Sequence, residues 1–286
     1  QTFRDFEIIV ADNASTDASL DVLARYPEVR LLRLERNFGF TGACNAGIRA
    51  ARGEIVALLN NDTEADPRWL AEVLTAFERH PCAGIVASKM LLFDRRDTLH
   101  TAGDIFRTDG TPGNRGVWQK DEGQFAEGPV FSANGGSAAY RRAMLDSIGL
   151  LDDDFYYSCE DVDLAWRAQL AGWQCVYAPC AVVYHKLSAS GGGVTASFYD
   201  GRNFIYLLVK DVPDIVWRRY WREIIAAQLH ITWEALHAWR GAAARARLRG
   251  QLAGLLGIPK MLAKRRAVQA TRRVSDEYVL SLLTGV

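Results

Sequence analysis

The sequence has no apolar run approaching the roughly 18 residues needed to cross a bilayer, so no spanning helix is expected. Its opening, Gln1-Thr2-Phe3-Arg4-Asp5-Phe6-Glu7, lacks the basic and apolar regions of a secretory leader. The five cysteines, Cys44, Cys82, Cys159, Cys175 and Cys180, are odd in number and contain no Cys-x-x-Cys. That argues against a disulfide framework or a structural zinc site and for a reducing, cytoplasmic setting. Internal repeats are also missing. Net charge is zero, with 34 Lys and Arg offset by 34 Asp and Glu, but the balance hides an asymmetry. From Arg240 to Arg273 there are about ten Lys or Arg and no acid, while acids gather upstream in Asp152-Asp153-Asp154 and Glu160-Asp161-Val162-Asp163. The two halves are expected to have different partners.

What is present is a globular profile: 286 residues, 49% hydrophobic and 24% charged, enough for one sizeable core or a domain with an appendage. The first half alternates strands at Glu7 to Ala11, Val29 to Leu34 and Ile55 to Leu59 with helices at Ser19 to Tyr26 and Gly42 to Ala51. Such alternation predicts a parallel sheet covered on both faces. Pro67 to His80 reads as a helix capped by Asp66. Asp94 to Phe131 reads as long loops with short strands, and Gly135 to Ile148 as ordered again. Val162 to Ala171 is a helix ended by Gly172, followed by strands at Cys175 to Ala178 and Ala181 to Tyr184. Ser188 to Gly193 is a flexible loop, and from Tyr199 onward the chain is helical.

Ligands of open parallel sheets bind beyond the carboxyl ends of the strands. Polar groups stand at two such ends, Asp12-Asn13-Ala14-Ser15-Thr16-Asp17 and Asn60-Asn61-Asp62. Each alone is equally a turn or a helix cap. Acidic residues open a helix at Phe155 to Leu164, where the helix dipole favours carboxylates whether or not they react. His185 ends a strand before a glycine-rich loop and, taken alone, is either structural or a ligand.

In order along the chain, Ile8 to Asp17, Arg36-Asn37-Phe38-Gly39-Phe40 with Asn45-Ala46-Gly47, Leu58 to Asp62, and Gly149 to Arg167 with Glu160-Asp161 resemble the inverting family 2 glycosyltransferases, and more closely their rhamnosyltransferase-like branch. The resemblance covers residues 1 to about 210. It implies an α/β GT-A fold, a mostly parallel mixed sheet between helices, as a catalytic domain over residues 1–210. A helical, basic, Trp-rich region over 211–286 is then the appendage. The donor implied is a nucleotide sugar, dTDP-rhamnose in that branch, and the acceptor a cell-surface glycan or lipid-linked glycan.

Residue by residue, the resemblance makes Asp161 the base on the acceptor hydroxyl, with Glu160 as the alternative. It places Asp12, Asn13, Arg36, Asn37 and Gly39 around the nucleoside, and Asn60 and Asn61 on the donor. Asp62 and His185 would hold a divalent cation, Mn or Mg, although Asn60-Asn61-Asp62 keeps only the last acid of the family's Asp-x-Asp element. Gly135, Trp166 and Arg167 either shape the acceptor side or pack. A nucleotide-sugar-binding pseudoenzyme is the rival to the enzyme.

In the tail, Trp217 to Arg222, Trp233, Trp239 and Leu252 to Ile258 mix aromatics, cations and an apolar face. That pattern suits either a helix lying at the inner face of an anionic membrane or packing on the catalytic domain, and nucleic acid is not expected. The resemblance further implies a strand and helix before Gln1, so the chain is expected to be an N-terminally truncated form, poorly stable and inactive as given. The Ile8 to Val10 strand should then lack a parallel neighbour on one flank, or Ile55 to Leu59 should close the gap.

Overall fold

The computed structural model describes residues 1–187 and 193–286. The loop expected at Ser188 to Gly193 thus falls, except for its last residue, outside the described residues. Element order is β1 (Ile9–Asp12), α1 (Ser19–Leu23), β2 (Arg30–Arg33), α2 (Gly39–Ala50), β3 (Ile55–Leu59), β4 (Thr63–Ala65), α3 (Trp69–Arg79) and β5 (Ala83–Leu92). The arm that follows holds β6 (Leu99–Thr101), β7 (Asp104–Arg107), β8 (Pro112–Asn114) and β9 (Gly128–Val130). Then come β10 (Ser137–Arg141), α4 (Arg142–Ile148), α5 (Glu160–Leu170) and β11 (Gln174–His185). The chain ends in α6 (Val194–Lys210), α7 (Asp214–His237), α8 (Ala242–Leu256), α9 (Ile258–Ala270), α10 (Asp276–Ser281) and β12 (Leu283–Thr284).

The mixed α/β architecture is the expected one, but its pairing is less parallel than strand–helix alternation implies. A seven-stranded sheet runs β3-β10-β5-β11-β4, with β6 on β5 and β9 on β11. Among the described residues only β1·β2, β5·β11 and β7·β12 pair in parallel. The reason is β10, which inserts antiparallel between β3 and β5. Periodicity does not mark the central strand β5 because it is buried on both faces and so has no alternation. The two strands expected at Cys175 and Ala181 are one, β11, with a register shift between Ala178 and Val182. Asp66 does not cap α3 directly: its Oδ1 accepts from the Arg68 N–H at 2.9 Å, closing a turn before the helix begins at Trp69.

The β1·β2 pair stands apart from the larger sheet, so β1 has no strand neighbour on its second flank, as expected, and β3 has not closed the gap. β1 and β3 line one open cavity of about 2160 Å³.

The seven-stranded sheet carries α3 on one face, where Trp69, Val73 and Phe77 pack on Val86, Val176 and Val183. The other face holds α5 and the C-terminal helices, whose Leu207, Ile224 and Met261 join the same core as Leu164 and Tyr177. Charge reinforces this union. Lys210 ion-pairs with Asp152 and Asp163, and Lys264 bridges Asp152 and Asp154. Part of the Asp152-Asp153-Asp154 run is therefore paired by cations of the basic tail, so the two halves, expected to have different partners, are in part each other's.

Candidate active site

One end of the cavity is apolar, between β1 and β3; the other is polar, lined by Asp12, Asn13, Asn60, Asn61, Gly135, Glu160 and Asp161. Asp161 opens α5, and its side chain is fixed by two backbone donors: Gly135 N–H to Oδ2 and Val162 N–H to Oδ1, both at 2.8 Å. A Cβ at Gly135 would lie 3.3 Å from Glu160 Oε1 and 3.4 Å from Asp161 Oδ2, a tight fit against both carboxyls.

Three carboxyls share this wall. Burial raises Asp161, and the two N–H donors oppose that shift by favouring its ionised form. Glu160 is pushed well up by burial and by the Asp161 charge, and its Oε2 has no hydrogen-bond partner. Asp104 is likewise raised by burial and by Asp161 while accepting from Thr101 Oγ1 at 2.8 Å. The donors on Asp161 favour its ionised form, while burial and the Asp161 charge favour the protonated forms of Glu160 and Asp104. Sequence reasoning missed Asp104, because the arm around β7 has little periodicity.

The approach to α5 is strained. Tyr156, Ser158 and Cys159 all have left-handed φ, from 61° to 67°, a region disfavoured for residues with a Cβ. Buried Asn203 of α6 holds this segment, its Nδ2 donating to the carbonyls of Phe155, Tyr157 and Ser158 at 3.0, 2.9 and 2.6 Å. Arg202 donates to the carbonyls of Asp154 and Phe155. Neither residue stands in a motif, so only the tertiary structure shows their part.

At the end of β1, Asp12 is buried and its Oδ1 accepts from the Ser15 N–H at 3.1 Å. Asn13 binds across to the next loop: its Nδ2 donates to Asn37 Oδ1 and the Gly39 carbonyl, and its Oδ1 accepts from the Phe38 N–H. Asn37 also accepts from the Gly39 N–H and the Tyr156 hydroxyl. Gly39 has φ +75°, and a Cβ there would strike the Tyr156 ring at 2.5 Å. Asn13, Asn37 and Gly39 thus build the wall between β1 and α5.

Of the sequence-predicted residues, Arg36, Asn37, Gly39, Asp62, Trp166, Arg167 and His185 are not among those lining the cavity. Arg36 is exposed and lies over the Phe38 ring. Trp166 is fully buried, edge-on to Phe106 and Phe131. Arg167 binds Asp163 and the carbonyls of Ile148 and Leu150, fastening α5 to the turn before it. Helix periodicity explains both corrections: positions 166 and 167 face the core when 160 and 161 face the cavity.

Asp62 and His185 do meet, Nε2 to Oδ1 at 3.3 Å. A third residue, His100, touches the other ring nitrogen, Nδ1 to Nδ1 at 3.1 Å, and burial with the nearby His185 holds its pKa down at about 4. The pair sits beside the cavity-lining Asn60 and Asn61. Among the described residues no group of three or more His, Cys, Asp or Glu is placed to hold a metal ion. The Asp62 carboxylate and the His185 imidazole are nevertheless ligand types that a divalent cation accepts.

A carboxyl-bearing helix start and the Asn60-Asn61 turn thus line one cavity. The model of the glycosyl transferase family 2 matches residues 1–149. The chain belongs to glycosyl transferase family 2. Members of this family are nucleotide-sugar-dependent transferases, and the mixed sheet with its helical tail is their GT-A fold. An N-acetylglucosaminyl-diphospho-decaprenol L-rhamnosyltransferase of Mycobacterium tuberculosis is 28% identical over 244 residues, 76% of this chain and 78% of that protein. Protein y4gI of Sinorhizobium fredii is 32% identical over 205 residues, 66% of this chain, and this family 2 chain spans only 22% of its length. The solved structure of GalNAc-T7 with UDP, GalNAc and Mn2+ matches with a TM-score of 0.57 at 16% identity, over 71% of this chain and 42% of that one, a likeness of fold.

Proposed function

We propose that the chain transfers rhamnose from dTDP-rhamnose, with inversion, to a lipid-linked glycan of the cell envelope, working at the cytoplasmic face of the membrane. The observation that carries the transfer is the Asp161 carboxylate, fixed by two backbone donors and facing a cavity with Asn60 and Asn61 on its other wall. The named activity of the mycobacterial relative supports the sugar and the acceptor class.

In the reaction read from this site, Asp161 takes the proton of an acceptor hydroxyl as that oxygen bonds to the anomeric carbon. The bond from that carbon to the diphosphate oxygen breaks, and the nucleoside diphosphate leaves with the electron pair. One displacement inverts the centre. Asp12 and the Asn13–Asn37 wall bound the nucleoside end, and burial, by favouring the protonated form of Glu160, keeps a second negative charge away from the base. Asp62 and His185 would hold a divalent cation, which when bound neutralises charge developing on the diphosphate.

The experiment is a donor screen on the full chain that reads released nucleoside diphosphate, with dTDP-rhamnose expected to lead. Donor binding without turnover on any lipid-linked or free glycan would favour the pseudoenzyme reading, which the single acid of Asn60-Asn61-Asp62 keeps open.

A further inference from the structure

The C-terminal helices present large apolar side chains to solvent in a pattern. On α7, Trp221, Ile225, Leu229, Trp233 and Leu236 are exposed, Leu229 by 64% and Trp233 by 54%. Spacings of four and three put them on one stripe, while Ile224 and Ala235 turn to the core. The stripe begins just after Tyr220, where the helical geometry of α7 breaks. On α8, exposed Arg245, Arg249, Leu252 and Leu256 also share a face, and Leu262 and Arg266 follow on α9. A run of this length is larger than the scattered apolar side chains of an ordinary surface.

Charge selects what covers it. No acid occurs between Glu234 and Asp276. Some cations of that stretch turn inward: Arg247 pairs with Asp200, Lys264 with Asp152 and Asp154, and Arg265 with Asp214. Arg240, Arg245, Arg249 and Arg266 are exposed and, among the described residues, have no carboxylate at ion-pair distance. We propose that the exposed stripes of α7, α8 and α9 dock on an anionic bilayer, with Trp and Leu side chains entering the interfacial layer and these arginines meeting lipid phosphates. A second copy of the chain fits less well, because a two-fold contact sets the unpaired arginines of α8 and α9 against their own copies, and those two helices hold no acid. No described helix is long and apolar enough to cross a membrane, so the contact is peripheral.

The docking face rests on these helices alone and deepens the proposed use of a lipid-linked acceptor. The test is co-sedimentation of the intact protein with vesicles of phosphatidylcholine plus phosphatidylglycerol, and of phosphatidylcholine alone, at low and high salt. Binding is expected to the mixed vesicles and to fall at high salt. Joint Arg245→Glu and Arg249→Glu should weaken it about tenfold or more, and joint Leu229→Ser and Trp233→Ser should weaken it at both salt levels. In the unmutated protein, lipids brominated near the top of their acyl chains should quench tryptophan emission, a reading that needs no variant to fold. The proposal is overturned by absence of binding to mixed vesicles at low salt, by binding indifferent to both variant pairs, or by a dimer that the Leu229 and Trp233 changes dissociate. Turnover of a short soluble acceptor should be the same in all of these variants. Failed docking therefore leaves the transferase reading intact, and failed transfer leaves docking intact.

Discussion

The Gly135 N–H points at Asp161 Oδ2 from 2.8 Å, tying the turn before β10 to the first residues of α5. With Val162 on the other oxygen, it favours the ionised form of one carboxyl of a buried trio and fixes that side chain at the cavity. Asp161→Asn keeps the shape but removes the proton acceptor. It should lower kcat by roughly 10²–10⁴-fold and leave donor affinity within a few-fold, because a base acts in the chemical step. Steady-state turnover with donor titration checks this; undiminished kcat would assign the base elsewhere.

Glu160→Gln should stabilise the protein near neutral pH. The folded-state pKa of Glu160 lies well above its unfolded value because of burial and the Asp161 charge. Below the unfolded pKa both states hold the proton and nothing is lost. As pH rises through that value the unfolded chain releases its proton while the folded chain retains it, so stability falls until the folded pKa is passed. Gln removes this penalty without changing shape. Thermal melts should show a gain for the variant at pH 7 to 8 that disappears near pH 4, at about 2–4 °C per kcal/mol recovered. An equal gain at both pH values would mean that Glu160 does not titrate as argued.

Chelation should suppress turnover, and Mn or Mg should restore it. Asp62→Ala should raise the metal concentration needed for half-maximal rate, and His185→Ala should do so less, since a hard cation favours the carboxylate oxygen. Full turnover in chelator would move charge neutralisation to cationic side chains.

The strands and turns carrying motifs were legible because their chemistry is local. Ile55 to Leu59 is a strand from end to end, and Gly172, at φ +90°, closes the helix that it was expected to close. What stayed hidden depends on contacts far apart in sequence. β10 enters the sheet between β3 and β5, which no local pattern records. Trp166 and Arg167 stand within a motif yet face the core, because a helix shows only one side to a cavity. His100 and Asp104 lie in an arm without periodicity, and they reach His185 and the Asp161 wall only through folding.

Asn203 is the clearest case of a residue that acts through others, and it gives the last prediction. Its amide nitrogen serves three carbonyls of a segment in which three residues hold left-handed φ without being glycine. That conformation costs energy at each position and persists only while its surroundings enforce it. Asn203→Ala leaves buried carbonyls without a donor, for about 1–3 kcal/mol of lost stability. It also frees the segment to relax, shifting the start of α5 and the base on it. Misplacement of about an ångström is enough to lower kcat on the order of 10²-fold, while Asp12 and the Asn13 wall should leave donor binding little changed. Asn203→Asp should be worse than Ala in thermal melts, since a carboxylate would face the same three carbonyl oxygens. A lowered melting temperature with kcat unchanged would limit Asn203 to packing; a fall in kcat at temperatures where the variant is fully folded would establish that α6 sets the geometry of the base.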